Sequence, residues 1–252
     1  MSLFDRKLAA GQGVVGTFCH LGGPAVAECL SLSGLDYVVI DTEHGPFLEE
    51  STGEMIRAIQ LHSAEAFVRV RDASRAAVLH ALDLGARGVV VPDVHSVEEA
   101  RKLVHHAKYF PLGARGFAFS RSAQYGFSPD LTPLGDYFEA VNRRTILMPQ
   151  CETAGALEHI EEIAALDGID GIFVGPYDLS VALGAPARFA DPRFVEALDR
   201  VLGACRASGK LAFIYANSLS EAADCFARGY QGAAVGTDAA FLVQAVKRML
   251  RT

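Results

Sequence analysis

Four stretches of this chain share one form: Gly34-Leu-Asp-Tyr-Val-Val-Ile40, Gly85-Ala-Arg-Gly-Val-Val-Val91, Gly168-Ile-Asp-Gly-Ile-Phe-Val174 and Gly229-Tyr-Gln-Gly-Ala-Ala-Val235. Each opens with a glycine, which enters the left-handed conformation that ends a helix without steric cost. Each closes on a short, continuously apolar run, the pattern of a parallel strand buried on both faces. One helix–turn–strand joint used four times is a weak internal repeat, and it points to a β/α array.

Working outward, similar runs give eight strand candidates: Val14–Cys19, Tyr37–Asp41, Ala66–Val70, Gly88–Val91, Thr145–Cys151, Gly171–Val174, Leu211–Tyr215 and Gly232–Val235. Helix starts lie between them. Ser96 with Glu99 and Ser218 with Glu221 match the capping box, and Asp191-Pro192 matches an N-cap followed by a first-turn proline. About eight strands alternating with about eight helices over 252 residues predict an α/β fold, a (β/α)8 TIM barrel of ~250 residues forming one domain over 1–252. An open doubly wound sheet is the alternative, but no G-x-G-x-x-G follows the first strand. A long inserted loop at about 108–144 breaks the rhythm, with a short helix expected near Gly135–Val141.

Composition narrows the function. The net charge is −7 and no stripe of Lys and Arg occurs, which excludes nucleic acid as a partner class. No apolar run approaches the ~20 residues of a membrane span, and residues 1–10 lack a signal-peptide core, so a cytoplasmic protein is expected. The five cysteines are scattered without a C-x-x-C, which fits a reducing compartment and argues against a thiolate zinc site.

In such a barrel, chemistry collects at the C-terminal ends of the strands. Those ends carry Asp41-Thr-Glu-His44, Arg69, Gln150-Cys-Glu152 and Tyr177-Asp178. Strand alternation puts Gln150 and Glu152 on one face and Cys151 on the other. Glu152 and Asp178, two carboxylates with no His or Cys beside them, suit a hard divalent cation such as Mg²⁺ or Mn²⁺, with Co²⁺ also compatible. The alternative is that each carboxylate caps the helix that follows. Arg69 stands in an apolar run and needs an anion, either a substrate carboxylate or phosphate or an internal aspartate such as Asp41. His44 is a candidate general base, with His20 and His95 as rivals that also follow strands. Gly236-Thr-Asp238 reads either as a phosphate-binding turn or as a helix cap.

Together, Asp41-Thr-Glu-His-Gly45, Val68-Arg-Val70, Leu82-Asp-Leu-Gly-Ala86, Pro111-Leu-Gly-Ala-Arg-Gly116, Gln150-Cys-Glu-Thr153 and Val174-Gly-Pro-Tyr-Asp-Leu-Ser180 resemble the HpcH/HpaI aldolase family, the class II pyruvate aldolases. The resemblance implies a carbon–carbon lyase that cleaves 4-hydroxy-2-oxo acids to a 2-oxo acid and an aldehyde. It implies metal binding by Glu152 and Asp178, and substrate positioning by Gln150, Tyr177 and Asp178. It implies enolate stabilisation by Arg69 and a base at His44 whose basicity Asp83 raises. Asp83 closes the third helix, at the opposite end of the barrel from His44, so that role requires a neighbouring subunit. The family is similarly oligomeric, and a homo-oligomer, a trimer-based hexamer, is expected. Tyr177 stands where relatives often carry Ala and Cys151 where Ile or Val is common; the tyrosine is expected to alter aldehyde preference. Two rival chemistries are a lyase or decarboxylase for oxaloacetate-like or acyl-CoA substrates, and a phosphosugar isomerase or epimerase.

Overall fold

In this computed structural model, which describes residues 1–251, eight parallel strands close into a barrel in sequence order. They are β1 (Val14–Cys19), β2 (Tyr37–Asp41), β3 (Glu65–Arg69), β4 (Gly88–Val91), β5 (Ile146–Cys151), β6 (Gly171–Val174), β7 (Leu211–Ala216) and β8 (Gly232–Thr237), and β8 pairs with β1. The helices are α1 (Leu3–Ala9), α2 (Pro24–Leu32), α3 (Glu49–Ile59), α4 (Arg75–Asp83), α5 (Val97–Ala107), α6 (Leu134–Arg144), α7 (Ala154–Glu158), α8 (Ile160–Ala164), α9 (Pro176–Ala182), α10 (Pro192–Ser208), α11 (Leu219–Arg228) and α12 (Asp238–Met249). The (β/α)8 barrel expected from the joints is the fold observed.

The strands read as continuously apolar because both of their faces are buried. Val38, Ile40, Val68, Val89, Leu147, Cys151, Ile172 and Ile214 face outward to the helices. Val39, Phe67, Val90, Met148, Phe173 and Phe213 alternate with them and fill the barrel. Rings there lie against residues without side chains. A Cβ on Gly16 would meet the Tyr37 ring at 2.5 Å, and one on Gly232 would meet Phe213 at 2.4 Å. Any larger residue at either position overpacks the interior.

The joints behave as their glycines predict: Gly34, Gly85, Gly168 and Gly229 have φ of 89°, 91°, 93° and 113°. The capping boxes are only half formed. Ser96 and Ser218 accept the N–H of Glu99 and Glu221, but those glutamates reach back to the N–H of His95 and Asn217, one residue before the cap. Helix α1 was not anticipated, being too short for a periodic signal. It closes the N-terminal end of the barrel with Phe4, which is fully buried and lies 5.7 Å from Phe67 between ring centroids.

The segment from 108 to 144 is more structured than a loop. It contains a 3-10 turn at Arg121–Gly126, and α6 is longer than the helix expected near 135–141. Lys108 is buried and gives its ammonium protons to Asn142 O, Thr145 O and Asp170. A cavity of about 420 Å³ at this end is lined by Arg87, Arg115, Arg121 and Arg144. Two of these cap helices: Arg121 donates to Leu84 O at the end of α4, and Arg87 donates to Arg144 O at the end of α6.

Candidate active site

Strand register builds the mouth of the barrel. Asp41 and Arg69 are the last residues of β2 and β3 and are direct partners in the ladder, so both side chains point inward at the C-terminal end. Arg69 donates from Nε to Asp41 Oδ1 at 2.9 Å and from Nη2 to Oδ2 at 2.7 Å. Its Nη1 lies 3.2 Å from Glu43 Oε2, and its guanidinium stands 4.9 Å from the Phe18 ring centroid. On the far side of the same carboxylate, His20 Nε2 is 2.6 Å from Asp41 Oδ2. Burial by itself would raise the Asp41 carboxyl, but His20 and Arg69 outweigh it and hold the group well below the usual carboxylate range. The internal partner of Arg69 foreseen in the sequence is therefore present, and Nη1 is the edge turned away from it.

Gln150 and Glu152 arrive from β5 and its end, both buried. Glu152 Oε1 accepts the N–H of Asp93 at 2.8 Å, and Gln150 Nε2 donates to Glu152 Oε2. Asp93 reaches that position with φ of 55°, a left-handed conformation that aspartate tolerates better than most residues. Gly175 makes room for the pair, since a Cβ there would lie 2.6 Å from Gln150 Nε2 and 2.8 Å from Glu152 Oε2. Burial pushes the Glu152 carboxyl up to about 7; Glu43 and Asp178 add to the rise, while the Asp93 N–H and Arg69 oppose it. Burial likewise raises Glu43, with Asp178 among the neighbouring charges.

Neither carboxylate caps a helix. The hydroxyl of Thr153 caps α7, and α9 begins after Gly175 without a side-chain cap. Asp178 is exposed and, among the described residues, makes no hydrogen bond or ion pair. The cavity at this mouth encloses about 210 Å³ and is lined by His20, His44, Arg69, Gln150, Tyr177 and Asp178, with walls from Phe18, Phe173 and Tyr215. The Tyr177 hydroxyl donates to Asn217 Oδ1 at 2.9 Å and its ring packs edge-on to Phe189. His44 is largely exposed on the loop after β2, with Nε2 3.9 Å from Glu43 Oε2.

Of the residues singled out from the sequence, His44, Arg69, Gln150, Tyr177 and Asp178 thus share one cavity, with Glu152 hydrogen-bonded behind Gln150. Asp83 is not among them. It closes α4 at the N-terminal end of the barrel and binds the buried Arg115 at 2.7 Å. The phosphate-turn alternative at 236–238 is occupied by a helix cap: Thr237 caps α12, and the Asp238 carboxylate accepts the N–H groups of His20 and Leu21.

Residues 15–245 match the family model described as HpcH/HpaI aldolase/citrate lyase. The chain belongs to the HpcH/HpaI family. It is 32% identical over 98% of its length to a 2-keto-3-deoxy-L-rhamnonate aldolase of Klebsiella pneumoniae, covering 91% of that protein. It is 33% identical over 96% of its length to a pyruvate aldolase of Rhizobium etli, covering 93% of it. A crystal structure of an HpcH/HpaI aldolase/citrate lyase family protein from Burkholderia cenocepacia superposes with a TM-score of 0.90 at 30% identity, over 99% of this chain and 97% of the other. As a member of the HpcH/HpaI family the protein is a carbon–carbon lyase of the class II aldolase type, dependent on a divalent metal.

The donor set of this family member fits such a cation. Glu43 Oε2 and Gln150 Oε1 are buried without an aligned hydrogen-bond partner, and the Glu152 carboxyl is raised to about 7 by burial first and by Glu43 and Asp178 after it. All donors here are oxygens, the choice of a hard ion. Among the described residues no group of three or more His, Cys, Asp or Glu is arranged to hold a metal. Sequence inspection passed over the Asp93 N–H and the aromatic wall of Phe18, Phe173 and Tyr215. The inward parity of Phe18 and Phe173 on their strands was the available signal for that wall.

Proposed function

We propose that the enzyme reversibly cleaves 4-hydroxy-2-oxo acids to pyruvate, or a close 2-oxo acid such as hydroxypyruvate, and an aldehyde through an enolate. One observation carries this reading: the Asp178 carboxylate, Gln150 and the fixed Arg69 guanidinium line one mouth cavity of about 210 Å³, with the Glu152 carboxylate hydrogen-bonded behind Gln150. That volume lies below the ~300 Å³ at which drug-sized sites begin, which favours small acids.

Glu152 and Asp178 hold Mg²⁺ or Mn²⁺. When bound, the ion polarises the 2-oxo group and stabilises charge on its oxygen. Gln150 and the first turn of α9 around Tyr177 and Asp178 orient the acid. Arg69, fixed by Asp41, aims its remaining N–H groups at the oxygen where charge develops, a donor that needs no reorganisation during reaction. His44, through an ordered water, removes the methyl proton. Decarboxylation of oxaloacetate passes through the same enolate and fits as a side activity. A phosphosugar reading loses its anion site to the Asp238 carboxylate.

A homo-oligomer is part of the proposal. Leu242, Val243, Val246, Met249 and Leu250 of the last helix and its end are more than 40% exposed, as are Phe119, Tyr125 and Phe127 of the 108–144 segment. Apolar surface of this kind marks an interface. In an assembly Asp83 could reach a neighbour's histidine. All five cysteines are free, in keeping with a cytoplasmic setting, and no helix is long and apolar enough to cross a membrane among the described residues.

The test is pyruvate in D₂O with Mg²⁺ or Mn²⁺, and separately with EDTA, followed by NMR at the methyl signal. Metal-dependent loss of the methyl protons is expected. Absence of exchange with both pyruvate and hydroxypyruvate under either metal would sink the proposal.

A further inference from the structure

We propose that His20 is a second proton-transfer residue of this site, serving the oxygen of the aldehyde carbon. The proposal rests on the aldolase reading above and divides its proton chemistry between two histidines. Within one subunit Asp83 and His44 lie at opposite ends of the barrel, whereas Asp41 and His20 meet inside its mouth.

The pair is held from every side. Asp41 is wholly buried and clasped in bidentate fashion by Arg69, so its carboxylate cannot turn. The backbone N–H groups of His20 and Leu21 are anchored on the two oxygens of Asp238, at 2.8 and 2.9 Å. Phe18 lies beside the imidazole, 6.0 Å between ring centroids. His44, by contrast, is 69% exposed and meets a carboxylate only at 3.9 Å.

The His20 ring lines the same cavity as Arg69 and Asp178, and its buried Nε2 lies 2.6 Å from Asp41 Oδ2 without an aligned hydrogen bond, so a small turn of the ring completes the pair. With Nε2 turned to Asp41, the proton of the neutral ring is held there and Nδ1 keeps the lone pair. The carboxylate stabilises the imidazolium that forms when Nδ1 takes a proton, the service an aspartate gives a histidine base. The charged groups facing His20 are Asp41, Arg69 and Asp238; His44, Asp178 and Tyr215 share its cavity.

In the cleavage direction Nδ1 removes the proton of the C4 hydroxyl, and the O–H electron pair becomes the second bond of the aldehyde carbonyl. The C3–C4 bond breaks, and its pair forms the C2–C3 double bond of the enolate with charge on the C2 oxygen. A proton delivered to C3 on the His44 side completes the 2-oxo acid. In synthesis the His20 imidazolium returns its proton to the new alkoxide. No external oxidant or reductant is needed.

The experiment compares wild type with His20→Gln and His20→Asn in the metal-loaded enzyme. Two rates are read: exchange of the pyruvate methyl protons in D₂O, and cleavage of 4-hydroxy-2-oxopentanoate across pH 5 to 9. Glutamine can still donate to Asp41 but cannot carry a proton, so it rescues a merely structural role and not a catalytic one. The expected result is a loss of cleavage of about 100-fold or more in both variants. That loss should exceed the loss of exchange at least tenfold, and the acidic limb of the cleavage profile should disappear. Cleavage by His20→Gln within about fivefold of wild type, or cleavage and exchange falling in step, would overturn the assignment. Failure of wild type to exchange at all would instead remove the aldolase reading and the assignment with it.

Discussion

Raising the pH of the metal-free enzyme is expected to destabilise it, with Glu152 as a main contributor. Glu152 is buried, and burial first, then Glu43 and Asp178, lift its carboxyl from 4.5 to about 7. A group whose folded-state pKa is raised stabilises the fold fully below its unfolded pKa, and that contribution is lost as pH climbs through the folded value. The window is therefore pH 4.5 to 7, and the gap corresponds to roughly 3 kcal/mol. Glu152→Gln keeps size and shape but cannot ionise. In EDTA, the variant should thus gain about 3 kcal/mol on wild type between pH 4.5 and 8. Denaturant unfolding of both proteins at four pH values measures the difference and cancels the titrating groups that are not coupled to Glu152. Added Mn²⁺ should reverse the order at pH 8, since only wild type offers the anion. At pH 6 about a tenth of the Glu152 side chains are ionised, so Mn²⁺ affinity should fall about tenfold from its value at high pH. Parallel stability curves for the two proteins across this range would refute the electrostatic account of the site.

Two further outcomes follow from packing. Asp83→Ala leaves the guanidinium of Arg115, only 2% exposed, without its carboxylate, and should cost about 3 kcal/mol or more of unfolding free energy whatever its effect on turnover; an unchanged unfolding midpoint would show that Asp83 has no structural part. Leu242→Glu with Val246→Glu places two charges on the apolar face of α12 and should reduce the molar mass measured by light scattering, whereas an unaltered mass would place the subunit interface elsewhere.

The barrel was legible because its signals are local. A glycine, two turn residues and a β-branched run occupy seven positions, and no distant residue is needed to read them. Placing Arg69, Gln150 and Asp178 near one another needed only strand parity and the rule that barrel chemistry gathers at strand C-termini. What stayed hidden depends on register and on backbone conformation. The bidentate grip of Asp41 on Arg69 follows from the alignment of β2 with β3, which apolar runs of similar length leave unspecified. The Asp93 N–H reaches Glu152 only because Asp93 adopts a left-handed conformation that its sequence does not demand. His20 could be named as a rival to His44 but not preferred, since its claim depends on the contact with Asp41. The 108–144 segment lacked helical periodicity over most of its length, so its folding under the barrel rim could not be drawn from pattern alone.

On the proposed reading, charge balance gives this mouth a use for a cation. Arg69 is the one guanidinium lining the cavity, and Asp41 already neutralises it at 2.7 Å. Glu43, Glu152 and Asp178 remain: Asp178 opposes ionisation of both glutamates, and Glu43 opposes that of Glu152. A 2-oxo acid approaching this surface brings a carboxylate of its own, and like charges disfavour its entry. Acidic side chains that oppose one another's ionisation would be a defect in a site that only had to bind an organic anion. On the proposed reading Glu152 and Asp178 would hold a divalent ion, whose charge would offset the burial and the like charges that lift Glu152 and would favour entry of the acid. On that reading Arg69 would act on the oxygen where charge appears during reaction, its orientation fixed by Asp41 and its Nη1 lying 3.2 Å from Glu43 Oε2. The acidic surplus, the buried glutamate and the locked arginine are in this way parts of one electrostatic design, and none of them is explained by the stability of the barrel alone.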